Sequence, residues 1–219
     1  MITPAYIGSQ FRAVLAMARN NPLWRERLDA GADGFYRSLW AVLLGLPVAA
    51  LILYLSLLLI LEIPDFAAEM TLALPLPLLM VVQMLTVAAI RVALIAMLIV
   101  LSRSLNKERG MSPLVVAYNW GELMTQLLLA LTLILILLTP SPASFAGLLL
   151  GVTIFMFYIR WGVLRRALDI NIVQTISILV MLSLIGFLVS IVVTGVLRGF
   201  IGLFMPLDMV PVDVYFARD

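Results

Sequence analysis

Long apolar runs dominate the chain, broken at intervals by proline, charge or both. A helix crossing a bilayer needs about 20 apolar residues, because each adds about 1.5 Å against a hydrocarbon core of about 30 Å. Five segments reach that length, at about 39–61, 78–101, 113–138, 144–164 and 170–197. Glu62 and Pro64 close the first. Pro75 and Pro77 precede the second, which is expected to begin near Pro77 because proline is tolerated in a first turn. Ser112 is the expected N-cap before Pro113 in the third, and Pro140 and Pro142 follow its end. The pattern predicts an all-α fold: a five-span transmembrane bundle over 39–197, a short interfacial helical arm at 1–38 and an external tail at 198–219.

The loops add an orientation. The arm carries Arg12, Arg19, Arg25, Arg27 and Arg37, the loop after span two Arg103, Lys107 and Arg109, and the connection after span four Arg165 and Arg166. The loop after span one has only Glu62, Asp65 and Glu69, and the loop after span three has no charge. Lys and Arg are retained on the cytoplasmic side, so this alternation predicts an N-terminus inside and a C-terminus outside. The first 37 residues hold five Arg, and no short apolar stretch with a small-residue cleavage site follows. Insertion through the first long helix is therefore expected.

Composition changes the picture in three ways. Hydrophobic residues are 64% of the 219 and charged residues 12%, with a mean hydropathy of +1.16, so lipid must be the solvent for much of the surface. Thirteen of the 14 basic residues are Arg, Lys107 being the exception, which suggests a GC-rich genome and a bacterial inner (cytoplasmic) membrane. The absence of Cys and His removes disulfides, thiolate or imidazole metal sites and His-based triads. No span holds an Asp well inside, and no phosphate-binding GxxxxGK[ST] occurs. The expectation is a protein that is not an enzyme and has no metal and no cofactor.

Two ionisable residues lie deep in the spans. Arg91 is ten residues before Leu101 and Glu122 ten residues after Ser112, on neighbouring antiparallel spans. Ten residues is about 15 Å of helix, so both reach the midplane at matched depth. Either charge alone would cost about 2.5–3.5 kcal/mol by insertion scales, and a buried pair is the economical arrangement. Asn119, Glu122 and Gln126 make a polar stripe on span three, and Gln83 stands two turns before Arg91. These amides are candidates for the remaining hydrogen bonds of the pair. The network either sets the register of two helices or lines a path for a solute or proton, or holds a lipid headgroup or partner helix.

A second polar cluster is expected on the cytoplasmic side: Arg160 just inside span four, then Arg165, Arg166, Asp169, Asn171 and Gln174. Asp169 is expected to pair with Arg165 or Arg166. Small residues mark candidate packing faces at Gly147 and Gly151 in span four, and at Ser183, Gly186, Ser190 and Thr194 in span five; Gly45 and Ala49 are a weaker version in span one. Such faces serve packing within the bundle or a dimer. In the arm, Phe11, Val14, Leu15 and Ala18 recur at helical spacing, and Asn21 precedes a second short helix with Pro22 at its first position. Trp24, with Arg25 and Arg27, suits either the headgroup boundary of anionic lipid or a seat on the bundle. The basic residues are few and mixed with acids, which speaks against nucleic acid.

The basic loop Arg103–Arg109 leads through Gly110 into Pro113-Leu114-Val115-Val116-Ala117-Tyr118. With five spans and an inside arm, this entry resembles that of the third span in Yip1-domain membrane proteins. The DLxGP and GY-type signatures of eukaryotic members are absent here. The resemblance implies a non-enzymatic membrane adaptor or scaffold, acting through a membrane-protein partner or a homo-oligomer. The alternative is a small transporter or channel component using the Arg91–Glu122 seam. An odd number of spans argues against a complete inverted-repeat transporter in one chain.

Overall fold

A computed structural model describes residues 2–61, 71–72, 74–139, 142–203 and 210–211. Glu62, Asp65, Glu69, Pro140 and the acidic and basic residues of the tail beyond 211 lie outside the described residues. The order is α1 (Pro4–Ala18), α2 (Trp24–Arg27), α3 (Ala32–Leu61), α4 (Leu76–Ser104), α5 (Met111–Leu138), α6 (Pro142–Leu168) and α7 (Ile172–Gly202). A single 3-10 turn, Glu108–Gly110, leads into α5. Helices α3 to α7 are each long and apolar enough to cross a membrane. The chain is an all-α multi-pass membrane protein. Besides the helices, Thr71–Leu72 and Val210–Pro211 form a two-residue antiparallel pairing.

The spans run longer than their apolar runs. α3 begins at Ala32, ahead of the expected 39, and carries Pro47 inside it. α4 starts at Leu76, directly after an extended Pro75. α6 continues to Leu168, four residues past the expected 164. Polar and charged residues enter these last turns because the helix ends stand in the headgroup layer, where water and phosphate solvate them.

The arm end, where the N-terminal arm and the two basic connections gather, is closed by one local device. Asn20, Asn106 and Asp169 take left-handed φ values of 60°, 55° and 48° after α1, α4 and α6. In each case the next amide bonds back five residues: Asn21 N donates to Ala16 O, Lys107 N to Ser102 O and Ile170 N to Arg165 O. These are Schellman-type stops with Asn or Asp where glycine is commonest. α7 then opens with a capping box between Asn171 and Gln174.

α5 is the hub. It packs most extensively on α3 and next on α6, and α1 crosses both α5 and α6. Its contact with α4, its sequence neighbour, is smaller; α4 leans instead on α7 and α3. Residues Leu114–Leu123 of α5 are all buried. The core around them is drawn from α1, α2, α6, Ala41 of α3 and the arm-end halves of α4 and α7, so it sits at one end of the bundle.

The arm is docked on that core. Ala13, Val14 and Met17 are fully buried, and Trp24 and Leu28 are buried beside them. Tyr6 and Phe11 meet Trp120 edge-on at ring-centroid distances of 5.8 and 6.2 Å. A Cβ on Gly162 would overlap the Ala18 backbone, so the glycine is what lets α1 end against α6. Of the two seats open to Trp24, the structure shows the one on the bundle and not the lipid surface: its indole is inside the protein, while Arg25, Glu26 and Arg27 are exposed. Docking wins because it removes the apolar faces of α1 and α5 from solvent together. Ser112 is not a cap either, since Gly110 holds the N-cap position of α5. The Ser112 Oγ donates to Ala30 O at 2.6 Å and fastens the end of the arm to the hub.

Candidate functional site

Glu122 sits between two arginines. Arg91 of α4 places Nη1 2.6 Å from Glu122 Oε2. Arg160 of α6 donates from Nε to Oε1 at 2.5 Å and from Nη2 to Oε2 at 3.0 Å, a bidentate pairing. One carboxylate thus ties three spans together. The Glu122 and Arg91 side chains are 6% and 10% exposed, while that of Arg160 is 32% exposed.

Arg91 and Glu122 meet as matched depth requires. Arg160 belongs to this site and not to the cytoplasmic cluster, which is a correction. It lies eight residues inside the end of α6. The Cα–Cβ bond of a helical residue leans toward the helix N-terminus, and α6 runs toward the arm end, so the side chain projects away from the headgroups. The signal was present in the sequence: the adjacent Arg165 and Arg166 mark the true interfacial turn, which leaves Arg160 a turn and more inside.

The rest of the expected cluster disperses. Asn171 and Gln174 cap α7. Asp169 is almost wholly exposed and lies 4.0 Å from Lys107 rather than from Arg165 or Arg166, because its left-handed backbone turns it away from α6.

The polar stripe on α5 also splits. Asn119 Nδ2 donates to Ser38 Oγ of α3 at 3.0 Å, and Gln126 Oε1 lies over Gly45 of α3. Glu122, about 60° round the helix from Asn119, is turned just far enough to meet α4 and α6 instead of α3. Neither amide serves the ion pair, and Gln83 makes no hydrogen bond to it among the described residues. A second arginine replaces the amides as the group that satisfies the carboxylate. Asn119 Oδ1 and Trp120 Nε1 are buried without a hydrogen-bond partner among the described residues.

Of the packing faces, the one on α7 is used in part. Thr194 Oγ1 lies 3.4 Å from Thr86 Oγ1 of α4, and a Cβ on Gly186 would rest against Ile90. Ser183 is exposed beside that seam and Ser190 is half-buried. Gly147 and Gly151 face no neighbour: a Cβ on either meets nothing within 4 Å. Their spacing is correct for a close crossing, but the face of α6 that carries them is exposed.

The arm carries its own polar latch. Tyr6 donates its phenol to Asp29 Oδ2 at 2.9 Å, and Arg37 reaches the same oxygen at 3.3 Å. Gln10 clasps the segment from both sides, accepting from Asp29 N at 3.2 Å and donating to Arg27 O at 3.4 Å. Partial burial, then the bond to the Asp29 carboxylate, pushes the Tyr6 phenol up from 10.0 to about 12.

Chemically, the triad is a fixed cation. Two guanidinium groups and one carboxylate sum to +1 at a depth where charge is expensive. Both carboxylate oxygens are held by arginine donors, which removes Glu122 from acid–base work. Among the described residues no group of acidic side chains is arranged to hold a metal ion. No protein-family model matches the chain, and no curated protein or solved structure is significantly similar to it.

Proposed function

We propose that the protein is a non-enzymatic membrane scaffold or accessory subunit of a membrane complex, resident in a bacterial inner membrane with its arm on the cytoplasmic side. The observation that carries this reading is the closure of Glu122 by Arg91 and Arg160. A carboxylate saturated by two guanidinium groups offers no site to a proton or cation in transit. Spans joined so firmly form a platform more readily than a rocking pair. The collection of Arg12, Arg19, Arg25, Arg27, Lys107, Arg109, Arg165 and Arg166 at one end supports the orientation. A Yip1-like assignment belongs to this proposal and is supported by the five spans and the Gly110–Tyr118 entry.

The observation that favours a small transporter or channel component is the partial exposure of Arg160 at membrane depth. One experiment separates the two. The chain has no Cys, so a single cysteine reports cleanly. Thr125→Cys, on the buried face one turn from Glu122, is expected to resist a membrane-impermeant thiol reagent in vesicles, with a stoichiometric protein co-purifying from native membranes. Rapid labelling from either side, with no co-purifying protein, would replace the scaffold with the transporter.

A further inference from the structure

Arg160 is held by Glu122 through Nε and Nη2, which leaves its Nη1 hydrogens without an acceptor among the described residues. The same side chain lines a pocket of about 270 Å³ between α4, α5, α6 and α7. Ile90 and Leu94 of α4 and Leu179 and Leu182 of α7 supply apolar walls, Tyr118 of α5 and Ser183 of α7 supply hydroxyls, and Gly186 keeps one side open. Contact between α6 and α7 is slight, and Ser183 is exposed on the bundle surface. The pocket therefore opens sideways, toward lipid, rather than along the bundle axis. Its volume falls below the 300–1,000 Å³ that encloses a whole small ligand. It suits one end of a molecule whose remainder stays in the bilayer.

Depth fixes which end. Arg160 is eight residues from the end of α6, Tyr118 seven from the start of α5 and Leu179 seven from the start of α7. At about 1.5 Å per residue these lie about 10–12 Å along their helices from the arm end. Spans of 27 to 31 residues are about 40–46 Å long, so about 5–8 Å of each end stands in the headgroup layer of a core of about 30 Å. The Cα of Arg160 is then about 4–7 Å below the headgroups of the arm-side leaflet, and its guanidinium, which projects away from them, is deeper still, so a phosphate seated on it is drawn below the headgroup plane.

We infer that this pocket is a lateral site for an anionic phospholipid of the arm-side leaflet, its phosphate seated on Arg160 and the hydroxyls of Tyr118 and Ser183. The charge is complementary: a triad of +1 is neutralised by a headgroup of −1, which a zwitterionic lipid does not supply. The inference requires only that the chain crosses a membrane, and it holds for a scaffold or a transporter alike.

The test uses the full chain in nanodiscs of equal phosphatidylglycerol and phosphatidylcholine, released into native mass spectrometry. Wild type should retain one phosphatidylglycerol in preference to phosphatidylcholine by at least about fivefold, the effect of one basic residue near an anionic surface. Arg160→Gln leaves the neutral Arg91–Glu122 pair in place and should reduce the preference to unity. Gly186→Leu fills the pocket without touching the triad and should lower retention of both lipids. Gly147→Leu, on a face with no neighbour, should change nothing. Equal retention of the two lipids by wild type, a preference that survives Arg160→Gln, or displacement of the bound lipid by inorganic phosphate would overturn the site. Circular dichroism and size-exclusion profiles matching wild type show that each variant is folded. If Arg160→Gln fails that check, Gly186→Leu decides, and unchanged retention overturns the proposal.

Discussion

The two ends of the bundle are built on different principles. At the arm end, the six other helices converge on Trp120 and Leu114–Leu123 of α5, and polar side chains cross between elements at Ser112, Asn119, Tyr6 and the triad. At the far end, α7 has no buried residue beyond Leu182 among the described residues, and Thr86 of α4 meets Thr194 of α7. Yet α7 is the most apolar of the five spans, and α5 is less apolar than α3, α4 or α7. Hydropathy here marks what lipid touches, not what the protein buries. Lipid tails are as apolar as leucine, so an apolar surface gains little by leaving them. What holds helices together is close packing and paired polar groups; this chain gathers most of its paired polar groups at one end, while toward the other α3, α4 and α5 stay packed on apolar residues such as Leu55, Val82 and Leu133.

The sharpest way to break the contrast is at the triad. Glu122→Gln leaves Arg91 and Arg160 facing each other unpaired, and neither can shed its proton. Unfolding in mixed detergent micelles should show a loss of about 3–5 kcal/mol. Arg91→Gln or Arg160→Gln leaves a neutral pair, and each should cost less, about 1.5–3 kcal/mol. The double change of Arg91 and Glu122 strands Arg160, so recovery requires the triple apolar replacement, which should approach wild-type stability. A loss from Glu122→Gln no greater than from either arginine would mean that the three groups do not act together.

Glycines at the two ends give the next test. Gly162→Ala presses on the Ala18 backbone and should cost about 1–3 kcal/mol, releasing the arm to limited proteolysis. Gly147→Ala and Gly151→Ala meet nothing and should stay within about 0.5 kcal/mol. Equal effects at Gly162 and Gly147 would place an unseen neighbour on the far-end face.

A smaller difference is expected between two hydroxyls. Ser112→Ala removes the bond to Ala30 O and should cost about 1 kcal/mol. Thr86→Val removes a 3.4 Å contact at the far end and should cost about 0.6 kcal/mol, the usual size of hydrogen bonds between spans. The same unfolding assay ranks them, and reversal of the order would contradict the contrast.

The smallest effect is a pH dependence of the latch. With the Tyr6 phenol raised from 10.0 to about 12, the docked arm binds the proton more tightly than the undocked one. Its stabilisation is complete below about pH 10 and is lost as pH rises toward about 12. Proteolysis of the arm, followed across that window, should accelerate in wild type and not in Tyr6→Phe.

Much of the design is legible without coordinates, for reasons local to the chain. Span count follows from run length, because every backbone amide in lipid must be satisfied within its own helix. The meeting of Arg91 and Glu122 follows from a fixed rise per residue applied to two adjacent spans. Helix stops are harder, since Asn20, Asn106 and Asp169 do the work that glycine commonly signals. Faces are harder still. The Gly147–Gly151 spacing and the Ser183–Thr194 spacing look alike, and only the second meets a neighbour. Trp24 beside Arg25 and Arg27 suits a lipid surface and a protein core equally, and docking on α5 and α6 chose the core. Arg160 joined Glu122 because α6 continues past Leu164 and packs on α5 more closely than α4 does. The one-dimensional pattern determined how many helices cross and where charge stands along each. The packing of helices decided which way each charge faces, because in a bilayer lipid and protein offer an apolar surface nearly the same solvent.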